Sequence, residues 1–140
     1  VLIAITGSRD GMTEWQREAL RRVLARPHIT GIVHGDCLGV DAEADGIAMT
    51  LGLARFAYPS NAWFYRAHRN SQGCVFLAEP APPKVRDRWI VEKGGALVGI
   101  PRPSSQGTWF TIGIGRELRR PLLVLGEDRV LESTRGAEEQ

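Results

Sequence analysis

The sequence predicts an α/β fold with a parallel sheet and helices on both faces. Three observations predict it. Apolar runs of strand length alternate with segments of helical periodicity, most connections between them are short, and three runs end in glycine-bearing turns at their carboxyl side. Strands buried on both faces read as near-continuous apolar stretches, and their alternation with helices builds a layered sandwich. Right-handed crossovers then give a Rossmann-like, doubly wound α/β/α sheet of about five strands. Its expected strand order is 3-2-1-4-5, with the switch point between the first and fourth strands.

Residues 1–6 are an apolar run and form the first expected strand. Thr13 can cap the following helix, where Ala19, Leu20, Val23 and Leu24 share one face and charged residues the other. Residues 30–34 give the second strand. Val40, Ala44, Ile47, Ala48 and Leu51 recur at helical spacing, with Gly52 as the stop. Residues 53–58 give the third strand, halted by Pro59. Periodicity fails over residues 60–84, which hold Trp63, Phe64, Tyr65, Arg66, His68 and Arg69 and then a proline-rich stretch. A connection of that length carries function or is mobile, and a short helix is expected near residues 62–68. Residues 85–93 read as helix, 96–100 as strand, 107–118 as helix and 121–125 as the last strand. Gly113 and Gly115 each weaken the last helix by about 1 kcal/mol relative to alanine. Residues 1–130 make one domain, and 131–140 a polar tail within a stretch, 126–140, expected to be largely disordered.

Composition bounds the function. With 43% hydrophobic and 24% charged residues, the chain reads as soluble and globular. A net charge of +2 is too small to argue for nucleic acid by itself. Two cysteines make no disulfide framework or zinc spacing, so a reducing cytoplasm is the expected location. No apolar run reaches the length of a membrane span. His28, His34 and His68 form no ligand pattern, and no metal is expected; His34 reads as a satisfied structural histidine.

The three turns carry the chemistry. In such sheets, ligands bind beyond the carboxyl ends of the strands, where helix N-termini aim free N–H groups at anions. Gly7, Ser8 and Arg9 offer a close backbone, a hydroxyl and a guanidinium able to grip phosphate. Gly35, Asp36, Gly39 and Asp41 belong to the second turn, in residues 35–41. Asp41 reads first as a helix cap or first-turn acid, and second as a holder of a ribose hydroxyl. Asp36 has three readings: a sugar hydroxyl, a cation, or water. Cys37 sits where helix N–H groups could lower its pKa, but reads as a small apolar residue. Gly107 and Thr108 form the third turn, preceded by Ser104 and Ser105; Trp109 reads as core packing before base stacking. Arg86 and Arg88 flank Asp87 at a helix start, as a solvated turn or a phosphate clamp.

The ordered set Thr6-Gly7-Ser8-Arg9, residues 34–42 (His-Gly-Asp-Cys-Leu-Gly-Val-Asp-Ala), residues 86–91 (Arg-Asp-Arg-Trp-Ile-Val) and residues 107–112 (Gly-Thr-Trp-Phe-Thr-Ile) resembles the SLOG superfamily. That superfamily of Rossmann-like nucleotide-binding proteins includes the Lonely Guy phosphoribohydrolases and DNA-processing protein A. The resemblance covers residues 1–130 and is to the small single-domain members. It implies a nucleotide-derived, AMP-like ligand with its phosphate at Gly7–Arg9 and Gly107–Thr108, and a homodimer or larger homo-oligomer. The phosphoribohydrolases carry a glutamate in a Gly-Gly-x-Gly-Thr-x-x-Glu motif; here Thr111 stands in its place, and Arg86-Asp87 replaces the Arg-Asn of close relatives. Three functions follow as expectations. One is nucleotide binding or sensing, and another is N-glycosidic cleavage with Asp36, Asp41, Arg86 and Arg88 as catalytic candidates. The third, less favoured, is single-stranded DNA binding by the aromatic and basic residues 63–69.

Overall fold

The structure is a computed structural model and describes residues 1–134. Its elements, in chain order, are β1 (Leu2–Gly7), α1 (Glu14–Leu24), β2 (Gly31–His34), α2 (Val40–Thr50), β3 (Ala54–Ala57), β4 (Val75–Phe76), α3 (Pro83–Lys93), β5 (Ala96–Ile100), α4 (Gln106–Glu117), β6 (Leu122–Leu125) and β7 (Val130–Ser133). Two 3₁₀ turns, Trp63–Tyr65 and Arg69–Gln72, lie in the connection between β3 and β4. The first stands where a short helix was expected, and the second just beyond it.

The sheet runs β4-β3-β2-β1-β5-β6-β7. Its centre, β3-β2-β1-β5-β6, is parallel and reproduces the expected five-strand order. Both additional strands are edges. β4 pairs parallel with β3 through two residues. β7 pairs antiparallel with β6 and ends the sheet, although its residues were expected to be disordered. An ion pair from Arg116 of α4 to Glu132, and the Leu122 N–H donated to Thr134 Oγ1 at 2.9 Å, fasten β7. The last part of the expected tail, residues 135–140, lies outside the described residues.

Side-chain alternation splits the core into two layers. Ile3, Ile5, Val98 and Ile100 meet Leu20, Val23, Val40 and Ala44 from α1 and α2 on one face. Ala4, Val33, Leu97 and Val124 meet Ile90, Val91 and Ile112 from α3 and α4 on the other. α1 starts with a capping box: Thr13 accepts the Gln16 N–H, and the Gln16 side chain accepts the Thr13 N–H. α2 stops at Gly52, whose φ of +73° allows the Gly52 and Leu53 N–H groups to reach the carbonyls of Met49 and Ala48. The glycines that weaken α4 on propensity include a useful one. A Cβ at Gly115 would lie 2.6 Å from Leu97, so its absence brings α4 close to β5.

Candidate functional site

β1 and β5 are neighbours whose following helices lie on opposite faces of the sheet, so their carboxyl ends open a crevice. A cavity of about 850 Å³ occupies it. Its walls come from Gly7–Arg9, from Cys37 and Asp41, from Arg86 and Asp87 on α3, and from residues 104–108 at the start of α4. Tyr65 closes one side.

The first turn is held by its own backbone. Ser8 donates its N–H to Ile100 O at 3.2 Å, and its carbonyl accepts the Val40 N–H at 2.9 Å. Gly7 has no Cβ because Val40 occupies that space. Arg9 reaches over the Tyr65 ring, 3.7 Å from its centroid, which sets a cation against an aromatic face beside the cavity. In the third turn no side chain caps α4: Ser105, at the cap position, accepts the Arg102 N–H instead, at 2.8 Å. The N–H groups of Gly107 and Thr108 precede the first helical bond, made by the Trp109 N–H to Ser105 O, and are available to an anion. Nothing lies within 4 Å of the place a Gly107 Cβ would take.

The second turn is organised from within. Asp41 sits in the first turn of α2, behind an N-cap at Gly39, and its Oδ2 accepts the N–H groups of Gly35 at 3.1 Å and Cys37 at 3.2 Å. It is a first-turn acid that staples the preceding loop. Burial raises its pKa, against the pull of His34 and Arg86. Gly39, at φ +87°, lies against the backbone of Ser8 and Arg9, where a Cβ would collide. Gly35 makes room for Arg86, since a Cβ there would overlap the Nη1 of that guanidinium. Both glycines serve packing and neither lines the cavity.

Asp36 is fully buried, at φ +56°, outside the cavity. Its carboxylate accepts the N–H groups of Arg69 at 2.7 Å and His68 at 3.2 Å, and Arg66 Nε at 3.4 Å. The carboxylate ties down the 66–69 segment, a role the sequence did not suggest. Arg88 likewise stands apart, half-exposed and paired with Glu92 and Glu117. Trp109 is 39% exposed, so it is not the core residue expected.

Arg86 is 92% buried, by its 8% exposure, and borders the cavity. Its Nη2 donates to Cys37 Sγ at 3.3 Å. Its Nε lies 3.1 Å from Asp87 Oδ1 without hydrogen-bond alignment, which leaves a buried donor unmatched. Burial opposes the guanidinium charge, but Cys37, Asp87 and Asp41 outweigh it and raise its pKa. Burial pushes Cys37 up to about 11, with Asp41 adding to the effect, which keeps it the neutral thiol of a small apolar residue, as the sequence reading had it. Asp87 is pushed up to about 6 by burial and by Asp41, against the pull of Arg86 and of the nearby Thr111. The sequence showed Asp87 only as the acid between Arg86 and Arg88, where relatives carry Asn; its burial beside Arg86 and near Asp41 was not legible there.

Behind the second turn lies a closed polar network. His34, Asp45 and Cys74 offer ligand atoms within 4.8 Å of one another. The Asp36 N–H donates to His34 Nδ1 at 3.0 Å, which puts the ring proton on Nε2, facing Asp45 Oδ1 at 2.9 Å. Arg55 and Arg69 fill the other Asp45 oxygen at 2.6 and 2.8 Å. Burial would raise the Asp45 pKa, but the hydrogen bonds from His34, Arg69 and Arg55 hold it well below the usual carboxylate range. Two guanidiniums on one carboxylate are hostile to a metal ion. Both ring nitrogens of the buried His34 have partners within this network.

Fold and site together define a Rossmann-like α/β protein with an arginine-lined cavity at its switch point. Solved structures share the fold. The X-ray structure of TM1055, a structural genomics target, superposes with a TM-score of 0.65 at 13% identity, covering 86% of this chain and 71% of that one. DNA processing protein A from Helicobacter pylori, described for its single-stranded DNA binding mode, superposes with a TM-score of 0.63 at 18% identity, covering 99% and 70%. At these identities the two structures share the fold with this chain, and the fold alone. No family model matches the chain, and no curated protein does. Among the described residues no helix is long and apolar enough to cross a membrane.

Proposed function

We propose that the chain binds a nucleotide in the switch-point cavity, with its phosphate between Arg9 and the N-terminus of α4. The carrying observation is one cavity in which a guanidinium, a close glycine backbone and unclaimed helix N–H groups converge. A volume of about 850 Å³ admits a nucleotide and exceeds what a bare phosphate needs. Thermal shift of the purified chain with nucleoside mono-, di- and triphosphates tests the reading. A ligand at 100 times its Kd adds about 2.7 kcal/mol of stability. Arg9→Ala should weaken binding by about tenfold to a hundredfold, the range for a charged hydrogen-bond partner. Unchanged affinity places the phosphate elsewhere.

Single-stranded DNA binding is a second reading, favoured by the exposure of Trp63 at 72% and Phe64 at 58% beside the cavity mouth. Stacking on such rings gives sequence-tolerant binding that weakens steeply with salt. An oligonucleotide that binds at low salt and is lost in Trp63→Ala/Phe64→Ala supports it; no binding at low salt removes it. For base release, the catalytic alternative, Asp36 and Asp41 are already committed to backbone N–H groups.

A further inference from the structure

We propose that Asp87 is the specificity-determining residue of the cavity, its carboxylate accepting the vicinal 2′- and 3′-hydroxyls of a ribose. The inference rests on the nucleotide reading and deepens it. The cavity has two chemically different walls. Arg9, the glycine backbone of β1's turn and the α4 N-terminus favour negative charge. On α3, Asp87 also lines the cavity, beside Arg86 and near Asp41, and its carboxylate offers acceptors where Arg9 and the α4 N-terminus offer donors. A group suited to Asp87 must donate hydrogen bonds.

The hydrogen-bonding state of the pair points the same way. Arg86, 92% buried, keeps a Nε without a hydrogen bond while its neighbour Asp87 lies only 3.1 Å away. Arg86 also occupies the space that Gly35 leaves, so it is wedged and cannot turn to grip the carboxylate bidentately. An ionised carboxylate accepts at about four lone-pair positions, and here the protein supplies one misaligned guanidinium, while the neighbouring Thr111 hydroxyl donates to Gly107 O at 3.1 Å. Two adjacent hydroxyls would match the remaining positions. They would also favour the charged form of a carboxyl whose pKa stands at about 6 without them.

The test is calorimetric titration of the intact chain with the four ribonucleoside monophosphates and their 2′-deoxy and 3′-deoxy counterparts, at pH 8 and pH 5. At pH 8, each ribonucleotide that binds should do so about tenfold or more tightly than its deoxy counterpart. At pH 5, with Asp87 largely protonated, the preference should shrink several-fold. Asp87→Ala should remove both the preference and its pH dependence while still binding the deoxynucleotides, with thermal denaturation reporting that it folds. Asp87→Asn, which keeps an acceptor oxygen, should retain part of the preference and lose its pH dependence. Equal binding of ribo- and deoxynucleotides by the unaltered chain overturns this assignment and leaves the nucleotide reading intact. Binding of none of them overturns both.

Discussion

Substituting Asp36 by asparagine tests how the cavity's flank is built. The change preserves size, and asparagine is among the few residues that tolerate φ near +56°. What changes is hydrogen-bonding capacity. Asp36 Oδ1 accepts the Arg69 N–H, while Oδ2 accepts the His68 N–H and Arg66 Nε. An asparagine has one acceptor oxygen and a donating NH2, so either orientation leaves at least one buried N–H facing a donor. A lost partner of that kind costs about 1–3 kcal/mol, and the surviving bonds lose the strength that charge lends them. The expected total is about 2–4 kcal/mol. At about 2–4 °C per kcal/mol for a domain near this size, Tm should drop by about 4–16 °C. Urea denaturation gives the free energy, and hydrogen exchange at the His68 and Arg69 amides locates the loss. A Tm within 2 °C of the parent, with both amides still protected, would refute the clamp.

Three other outcomes are expected. Asp87→Asn should stabilise the chain by about 1–3 kcal/mol at pH 8 and leave it unchanged at pH 4, measured by urea denaturation. Its folded pKa of about 6 exceeds the ordinary 3.8, so the folded state holds a proton across that window and loses stability as the pH rises through it. Asp45 has the opposite sign: its depressed folded pKa contributes stability that is present above about pH 4 and lost as the pH falls toward the folded value. Asp45→Asn should cost about 3–5 kcal/mol at neutral pH and flatten the acid limb of the stability profile. Gly35→Ala should cost about 1–3 kcal/mol by displacing Arg86, and combined with Arg86→Ala should fall short of additivity in a double-mutant cycle.

The central five strands were legible because burial on both faces leaves nearly unbroken apolar runs, such as Leu97, Val98 and Ile100 in β5. The edge strands escaped for opposite reasons. β4 has two residues, too few for any period, and β7 exposes Val130 and Leu131 and is held by backbone pairing and one ion pair. Gly7, Ser8, Arg9, Asp41, Gly107 and Thr108 from the three turns, with Arg86 from α3, border the cavity. Gly35 and Gly39 were visible as glycines, but their cause was not: the atoms that exclude a side chain there belong to Arg86, Ser8 and Arg9. Asp36 and Asp87 were invisible in role. One is bound by amides about thirty residues downstream, and the other gains its character from burial between helices.

The long connection after β3 has a further consequence. Its backbone is anchored by Asp36, by Arg69 on Asp45 and by the Leu38 N–H on Tyr65 O. The rings of Trp63 and Phe64 stay exposed, Trp63 edge-on to Phe64 and Phe64 edge-on to Tyr65. Trp63, whose ring meets the exposed Phe64 ring, is the outermost of the three, and its exchange alters what the surface touches with the least effect on Tyr65 and the cavity. In a lineage of such chains, this strip is where new partners could be acquired at little risk to folding.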